Sequence, residues 1–256
     1  MLLPRSHEAG RLSLSTLVLR MELRLGSPSI LRALETAERL LADQRLVAVM
    51  ADRLTLSAFA LAGPVRPGLV GAATTEDEGL QLVLRTQPDL LIACDGLEAG
   101  YGISLLRRVK AELPTTRLLI FLERETREVV QEAMEAHADA VMFRSSMGSG
   151  ESDFIQALNA VAEGKVYYPE AIRSLAAQCS PRPGLPPLVE ELSARELEVA
   201  AAVARGLSNK EIGDLYGISP ETVKTHVSNA SDKLGASDRT QLAVLALLYG
   251  LIDPLG

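Results

Sequence analysis

The stretch that decides the fold of this chain is GLSNKEIGDLYGISPETVKTHV, residues 206–227. Ser208 and Ser219 are residues of the type that caps the start of a helix, and Glu211 follows Ser208 at the spacing of a capping box. Gly217 lies between the two predicted helices and makes the turn. Two short helices joined in this way form a helix-turn-helix, which predicts that the partner is duplex DNA.

The sequence on either side of this turn predicts two faces for each helix. Ser193 and Glu196 form a second capping box at the start of an earlier helix. Ile212, Leu215 and Tyr216 are predicted to be the buried side of the helix before the turn. The helix after the turn runs to about Leu234, and its inward positions are Val223, Val227, Ala230 and Leu234. Its outward positions are of the types that reach base edges and phosphates, namely Lys224, Thr225, Ser228 and Asn229.

Three motifs in this region resemble those of a known family. They are Ser-x-Arg-Glu at 193–196, Ser-Asn-Lys-Glu-Ile at 208–212 and Ser-Pro-Glu-Thr-Val-Lys-x-His at 219–226. Together they resemble the LuxR-type (NarL/FixJ) helix-turn-helix of bacterial transcription factors. The resemblance implies a four-helix domain whose third helix enters the major groove. It also implies that bases are contacted by Lys224, Thr225 and Ser228, and phosphates by Lys210 and Thr222.

The last predicted helix, at about 238–249, resembles the dimerisation helix of the same family. Its apolar positions include Leu242, Leu245 and Tyr249, which recur at helical spacing. The resemblance implies a homodimer that forms through this helix. The alternative is that these apolar residues belong entirely to the core of their own chain.

Composition argues against several other classes of protein. The chain has 256 residues with 26 Lys and Arg against 33 Asp and Glu, so any attraction to nucleic acid has to come from a local patch. Cys94 and Cys179 lie far apart without metal-ligand spacing, which suits a reducing cytoplasm and predicts no metal site. No apolar run approaches the length of a membrane span. The sequence has no nucleophile–base pair and no phosphate-binding loop, so it gives no indication of an enzyme or of a cofactor.

Residues 45 to 164 alternate between short apolar runs and helical stretches. The runs are predicted to be strands at 46–50, 69–73, 90–93, 118–121 and 140–143. Five such βα units predict an α/β doubly wound parallel sheet covered on both faces. With the C-terminal motifs, they resemble the flavodoxin-like receiver domain of bacterial response regulators. The resemblance rests on Pro88-Asp89 before the third strand, Gly102 after it, and the segment 135–139 before the fifth.

These patterns divide the chain into four segments. We predict an N-terminal extension at 1–44 with a helix at about 30–43, a receiver-like domain at 45–177, a proline-rich linker at 178–189 and an all-α four-helix domain at 190–256.

Function in an open α/β sheet lies at the carboxyl ends of the strands. A working receiver has two adjacent acids after the first strand, and here those positions hold Ala51 and Asp52. The phosphoacceptor aspartate would end the third strand, where counting from the flanking proline and glycine leads to Cys94. Asp95 is next to it, but neighbouring residues of a strand point to opposite faces.

The remaining receiver positions also lack their usual residues. The hydroxyl residue that ends the fourth strand is replaced by Leu122, and the lysine that ends the fifth by Arg144. These replacements predict a degenerate pocket that takes no phosphate by the usual route. Two alternatives remain open: Asp95 replaces the missing acceptor, or Cys94 is a redox-sensitive thiol whose pKa is lowered by Arg144.

The sequence as a whole predicts a cytoplasmic, dimeric transcription regulator that binds double-stranded DNA and takes its signal from a protein partner, from its expression level or from the thiol. The rival interpretation is an adaptor that binds proteins instead of DNA. It is favoured by the charge of residues 190–256, which hold six Lys and Arg against ten Asp and Glu.

Overall fold

The computed structural model describes residues 35–36, 38–60, 65–148, 153–178, 185, 188 and 190–253. Most of the predicted linker at 178–189 lies outside these residues, as do the first residues of the helix predicted at about 30–43. Within that predicted helix, residues 35–36 and 38–41 are helical.

Five parallel strands form one sheet, and all five were predicted. They are β1 (Leu46–Val49), β2 (Leu69–Ala73), β3 (Leu90–Cys94), β4 (Arg117–Leu122) and β5 (Ala140–Phe143). Their order is β2-β1-β3-β4-β5, so the direction of winding reverses between β1 and β3. This is the doubly wound, flavodoxin-like order, and the reversal opens a crevice at the carboxyl ends of these strands.

Helices cover both faces of the sheet. They are α1 (Arg53–Ala60), α2 (Glu76–Thr86), α3 (Gly102–Glu112), α4 (Arg127–Glu135), α5 (Asp153–Ala162) and α6 (Glu170–Ala177). Because side chains alternate along a strand, Leu91 and Ala93 pack beneath one helical layer, and Leu90, Ile92 and Cys94 beneath the other. Both faces of β3 are therefore buried, which explains its unbroken apolar sequence. We refer to β1 through α6 as the sheet domain.

Four further helices form the C-terminal bundle: α7 (Ala194–Ala204), α8 (Asn209–Tyr216), α9 (Pro220–Leu234) and α10 (Arg239–Leu248). The predicted capping boxes at Ser193 and Ser208 are both confirmed, and Ser219 caps α9. Asp238 caps α10. A four-helix bundle following a five-stranded parallel sheet confirms the predicted fold class.

The core of the bundle is continuous with the core on one face of the sheet domain. One apolar cluster holds both Leu91 of β3 and Leu242 of α10. Helix α10 packs against α7 and α9 of its own bundle and against α4 and α6 of the sheet domain. Within the described residues, no helix is long and apolar enough to cross a bilayer.

The prediction that Leu215 is buried was wrong, because this side chain is 56% exposed. Helix α8 turns Ile212 and Gly213 inward, and Tyr216, four residues after Ile212, is half-buried on the same side. Leu215 lies three residues after Ile212, on the flank away from Gly213. A helix of eight residues buries one narrow stripe, and Leu215 falls outside it.

Candidate nucleic-acid interface and sheet-edge pocket

The turn between α8 and α9 is built from local backbone contacts. The Ser208 hydroxyl accepts a hydrogen bond from the Glu211 N–H, and the Glu211 carboxylate accepts one from the Ser208 N–H at 2.7 Å. Gly217 has φ 66 with open space around it, so the turn requires glycine for its backbone angle. A Cβ on Gly213 would lie 2.6 Å from the Ile218 carbonyl oxygen. The glycine therefore lets the turn pass close to α8.

Helix α9 carries its two faces as predicted. Val223, Ala230 and Leu234 are buried in the bundle, and Val227 is half-buried. The six predicted DNA-contacting residues are all exposed on the described surface: Lys210, Thr222, Lys224, Thr225, Ser228 and Asn229. The Ser219 hydroxyl accepts a hydrogen bond from the Thr222 N–H at 3.0 Å, which fixes the first turn of the helix. A rigid helix therefore presents a polar face to solvent.

The cations of the C-terminal bundle differ in their availability. Lys233 forms ion pairs with Glu190 and Glu196, and Arg195 forms one with Glu198. Within the part of the chain that the structure describes, Lys210 and Lys224 form no ion pair. They are exposed and able to approach a phosphate or a base edge, whereas the paired cations would first have to release a carboxylate.

The residues predicted for dimerisation have mixed exposure. Leu242 is fully buried in the core, whereas Leu245 and Tyr249 are half-buried. Much of helix α10 is covered by the chain's own α7, α9, α4 and α6. In this arrangement Leu242 serves the chain's own core, and its part in dimerisation stays a prediction.

At the carboxyl edge of the sheet, Asp52 and Arg144 meet at Thr55. The Asp52 carboxylate accepts hydrogen bonds from the Thr55 N–H at 2.8 Å and from its hydroxyl at 2.7 Å. These bonds, chiefly the one from the backbone, hold the pKa of Asp52 below its ordinary value. Arg144 donates to the same hydroxyl and forms an ion pair with Glu123. The pocket thus contains an internally paired guanidinium where a receiver has its lysine.

The side chains of Cys94 and Leu122 are buried beneath this edge of the sheet. Cys94 is the last residue of β3, as predicted, and is 2% exposed, with its Sγ 3.4 Å from the Met50 Sδ. Leu122 is fully buried in the apolar cluster on the opposite face of the sheet. The structure therefore brings Asp52 and Arg144 together but places the Leu122 side chain in the core.

Asp95 has a different environment from Cys94. Its side chain is 1% exposed and accepts hydrogen bonds from the Glu123 N–H at 2.8 Å and from the Arg124 Nε at 3.3 Å. The guanidinium of Arg124 also lies over the Tyr101 ring, 5.3 Å from its centroid. Asp95 therefore connects the end of β3 to the loop after β4, and both of its oxygens are engaged within the chain.

Comparison with known proteins shows which family the chain belongs to. Residues 190–246 match the model described as "Bacterial regulatory proteins, luxR family". The transcriptional regulatory protein LiaR of Bacillus subtilis is 32% identical over 208 residues, which cover 78% of this chain and 94% of LiaR. The chain belongs to the LuxR family of bacterial regulatory proteins.

Two further matches to this LuxR-family regulator have lower sequence identity. The response regulator protein VraR of Staphylococcus aureus is 29% identical, over 72% of this chain and 86% of VraR. Among solved structures, the response regulator RcsB in complex with DNA aligns with a TM-score of 0.47 and 19% identity, over 80% of this chain and 99% of RcsB. This structural likeness is too weak to support a conclusion about function.

The thiol of Cys94 does not have the environment of a redox sensor. Burial raises the pKa of Cys94 to about 11, although the nearby Arg144 acts in the opposite direction. Arg144 lowers this pKa by less than burial raises it, so the pKa of Cys94 lies above rather than below its ordinary value. A thiolate is the reactive form of cysteine, and burial in apolar surroundings disfavours it.

We expect Cys94 of the folded chain to resist alkylation. In a Cys179→Ser variant at pH 8, iodoacetamide should modify Cys94 at least ~100-fold more slowly in the folded protein than in urea, because the buried thiol is both shielded and protonated. Mass spectrometry of timed samples gives both rates. Equal rates would show that the thiol is accessible and would restore the redox hypothesis.

Sequence reasoning missed Glu123, which connects the two halves of the pocket. Its carboxylate pairs with Arg144, and its backbone N–H donates to Asp95. Glu123 follows the last residue of β4 directly. Counting one residue beyond each strand end, rather than stopping at the strand end itself, would have identified it.

Proposed function

We propose that this chain is a transcription regulator that binds duplex DNA as a dimer and needs no phosphorylation of its sheet domain. The observation that carries the proposal is the exposed polar face of α9, held by a capped helix-turn-helix and flanked by two lysines without ion pairs among the described residues. An α-helix of this kind fits the major groove, where each base pair presents a distinct pattern of donors and acceptors.

Each exposed residue has a role suited to its chemistry. We assign Lys224, Thr225, Ser228 and Asn229 to base edges and neighbouring phosphates, since lysine pairs with guanine and asparagine with adenine. We assign Lys210 and Thr222 to phosphates, which position the helix without specifying sequence. The family relationship supports a function in transcription, because LiaR is a transcriptional regulatory protein and matches this chain along most of its length.

Selection of bound DNA from random sequence tests the proposal. The full-length chain is mixed with a pool of random duplexes, and bound molecules are amplified and sequenced. We expect a motif of two half-sites related by two-fold symmetry and separated by about one helical turn, with two chains on each duplex in native mass spectrometry. Failure to enrich any motif would contradict the assignment.

The chemistry of the sheet-edge pocket supports phosphorylation independence. Magnesium needs several oxygen ligands in near-octahedral order. Both Asp52 oxygens accept hydrogen bonds from Thr55, and Glu123 is paired with Arg144, so the carboxylates at this edge are already engaged. Cys94, at the predicted acceptor position, is buried in the core, and burial raises the pKa of its thiol to about 11. These residues do not fit a magnesium ion or an acyl phosphate.

We expect acetyl phosphate with Mg²⁺ to leave the chain unmodified and its DNA affinity unchanged. Intact-mass spectrometry checks the first point, with a phosphorylation-competent receiver protein treated in parallel as the positive control. An acid-labile adduct that disappears in Asp95→Ala would show that Asp95 is the acceptor after all. It would require the hydrogen bonds of Asp95 to Glu123 and Arg124 to open.

The second candidate function is a protein-binding adaptor that does not bind DNA. The observation in its favour is the acidic balance of residues 190–256. Since phosphate contacts supply most non-specific affinity, few cations imply weak binding to DNA. The selection experiment separates the two functions, because an adaptor would enrich no motif at any salt concentration.

The proposed function implies a cellular location and a source for the regulatory signal. A regulator of bacterial transcription works in the cytoplasm, where the chromosome lies. In a regulator that needs no phosphate, a protein partner docked on the sheet domain or a change in expression level supplies the signal.

A further inference from the structure

Strand β2 forms one edge of the sheet, and no strand among the described residues pairs with its outer side. The Met50 N–H donates to the Ala73 carbonyl at 3.1 Å, so the backbone groups of Ala73 and Gly71 point towards β1. Because this direction alternates along a strand, the N–H and C=O groups of Val70 and Ala72 point outwards. Such a row of backbone groups is a template for a further strand.

The opposite edge of the sheet is covered by the chain itself. The Tyr167 N–H donates to the Asp139 carbonyl at 2.8 Å, and the Val141 N–H donates to the Tyr167 carbonyl at 3.1 Å. Tyr167 therefore pairs with the outer side of β5 in a parallel bridge. Within the part of the chain that the structure describes, β2 has no equivalent cover.

The sequence of β2 does not protect its edge. It reads LVGAA, without a charge or a proline, which are the residues that commonly keep an edge strand from pairing. The Val70 side chain is 39% exposed, and Ala72 beside it is exposed too. An apolar edge of this kind is stabilised by a covering strand.

Residues 17–25, which lie outside the described residues, have the sequence of such a strand. They read LVLRMELRL, with an apolar residue at every second position from Leu17 to Leu25. Arg20, Glu22 and Arg24 lie between these positions. A period of two predicts a strand with one apolar and one polar face. We refer to residues 17–25 as the edge segment.

The edge segment can reach β2. Only residues 26–34 separate it from Glu35, and nine residues span up to ~30 Å when extended. A five-stranded sheet is only about 20 Å across its strands. A tether of this length gives the segment an effective concentration on the order of millimolar, which favours it over a second copy of the chain.

The position of Leu41 indicates the direction of the added strand. Leu41 ends the helix before β1 and packs in one apolar cluster with Phe59 of α1 and Leu158 of α5. The chain therefore returns to β1 on the face that carries α1. A parallel strand outside β2 would then need a left-handed crossover, which parallel units almost never adopt. An antiparallel strand ends where β1 begins, and doubly wound sheets often carry an antiparallel edge strand.

The two faces of the sheet indicate which way the segment turns. On the α2 side, a Cβ at Gly71 would meet the half-buried Leu82, and Glu78 and Arg85 lie exposed next to Leu82 on the helix. The other side carries the exposed Val70. The charged face of the segment therefore suits the α2 side, and its apolar face suits Val70.

We propose that the edge segment pairs with β2 as an antiparallel strand, with its apolar residues on the face of Val70. The sheet then has six strands, and both of its edges are covered by the chain itself. The N-terminal extension thus keeps β2 from pairing with a second chain. This role is separate from DNA binding and does not depend on the proposed function.

Hydrogen exchange of the full-length chain, resolved to single amides by mass spectrometry, tests the proposal. The outward amides of Val70 and Ala72 should be protected in the unsubstituted chain. Met21→Lys places a charge on the apolar face and should speed their exchange at least ~10-fold, because the strand no longer packs. Glu22→Lys is the matched control, since it places the same residue on the polar face, and it should leave the exchange unchanged. Amides of β3 should stay protected in every variant, which shows that the sheet is intact.

A photo-cross-link identifies the occupant of the edge without a substitution in the segment. With p-benzoylphenylalanine in place of Val70, we expect the cross-linked peptide to contain residues 17–25 of the same chain. A cross-link to any other segment, or to a second copy, overturns the proposal. Free exchange of Val70 and Ala72 in the unsubstituted chain, or equal effects of Met21→Lys and Glu22→Lys, would overturn it as well. Protection that is lost on dilution would identify the occupant as another chain.

Discussion

A chain carrying both Lys210→Ala and Lys224→Ala is expected to lose at least ~100-fold in specific DNA affinity at ~0.15 M salt. A lysine that contacts a base contributes about 1–3 kcal/mol, and each dimer would lose two of them together with two phosphate contacts. The loss should be large because two other cations of the bundle, Lys233 and Arg195, are held by carboxylates.

The salt dependence of DNA binding distinguishes the proposed role of Lys210 at a phosphate from that of Lys224 at a base. Removing one phosphate contact lowers the slope of log affinity against log salt by about one, so Lys210→Ala should lower it by about two in a dimer. Electrophoretic mobility shift at four salt concentrations gives these slopes. Arg53→Ala with Arg85→Ala is the matched control, since it removes two exposed cations from the sheet domain. Unchanged affinity in the lysine variant would mean that another surface contacts DNA.

The largest expected effect on stability belongs to Gly102→Ala. A Cβ at Gly102 would lie 1.8 Å from the carbonyl oxygen of Cys94, which is a backbone atom at the end of β3. No side-chain rotation relieves this clash, so α3 would have to shift away from the end of β3. We expect the free energy of unfolding in urea to fall by ~3 kcal/mol or more, at the upper end of overpacking effects.

Gly235→Ala is the control for this substitution. Gly235 has φ 70 with nothing within 4 Å of an added Cβ, so only the backbone angle is penalised. A cost of about 1–2 kcal/mol is expected there. If Gly102→Ala costs no more than Gly235→Ala, the close approach between α3 and β3 is not a constraint on the fold.

The exposed polar face of α9 could be predicted almost completely from sequence, whereas the contacts of the sheet-edge pocket could not. Ser208, Glu211 and Ser219 define two helix starts through contacts that span three residues, so their neighbours are sufficient to identify them. The exposure of Lys224 follows from the helical period at which the buried apolar residues recur along α9. By contrast, the partner of Arg144 is Glu123, 21 residues earlier in the chain, and only the meeting of two strand ends connects them.

The sequence by itself determined where the strands and helices lie, because hydrophobic period, caps and turn residues act within one or two turns of backbone. Tertiary structure decided which neighbours those elements meet. It placed Cys94 against Met50, turned Leu215 to solvent and covered α10 with the sheet domain through Thr240 and Asp139, which lie 101 residues apart. Such contacts depend on how whole elements pack, and no local pattern of residues specifies that.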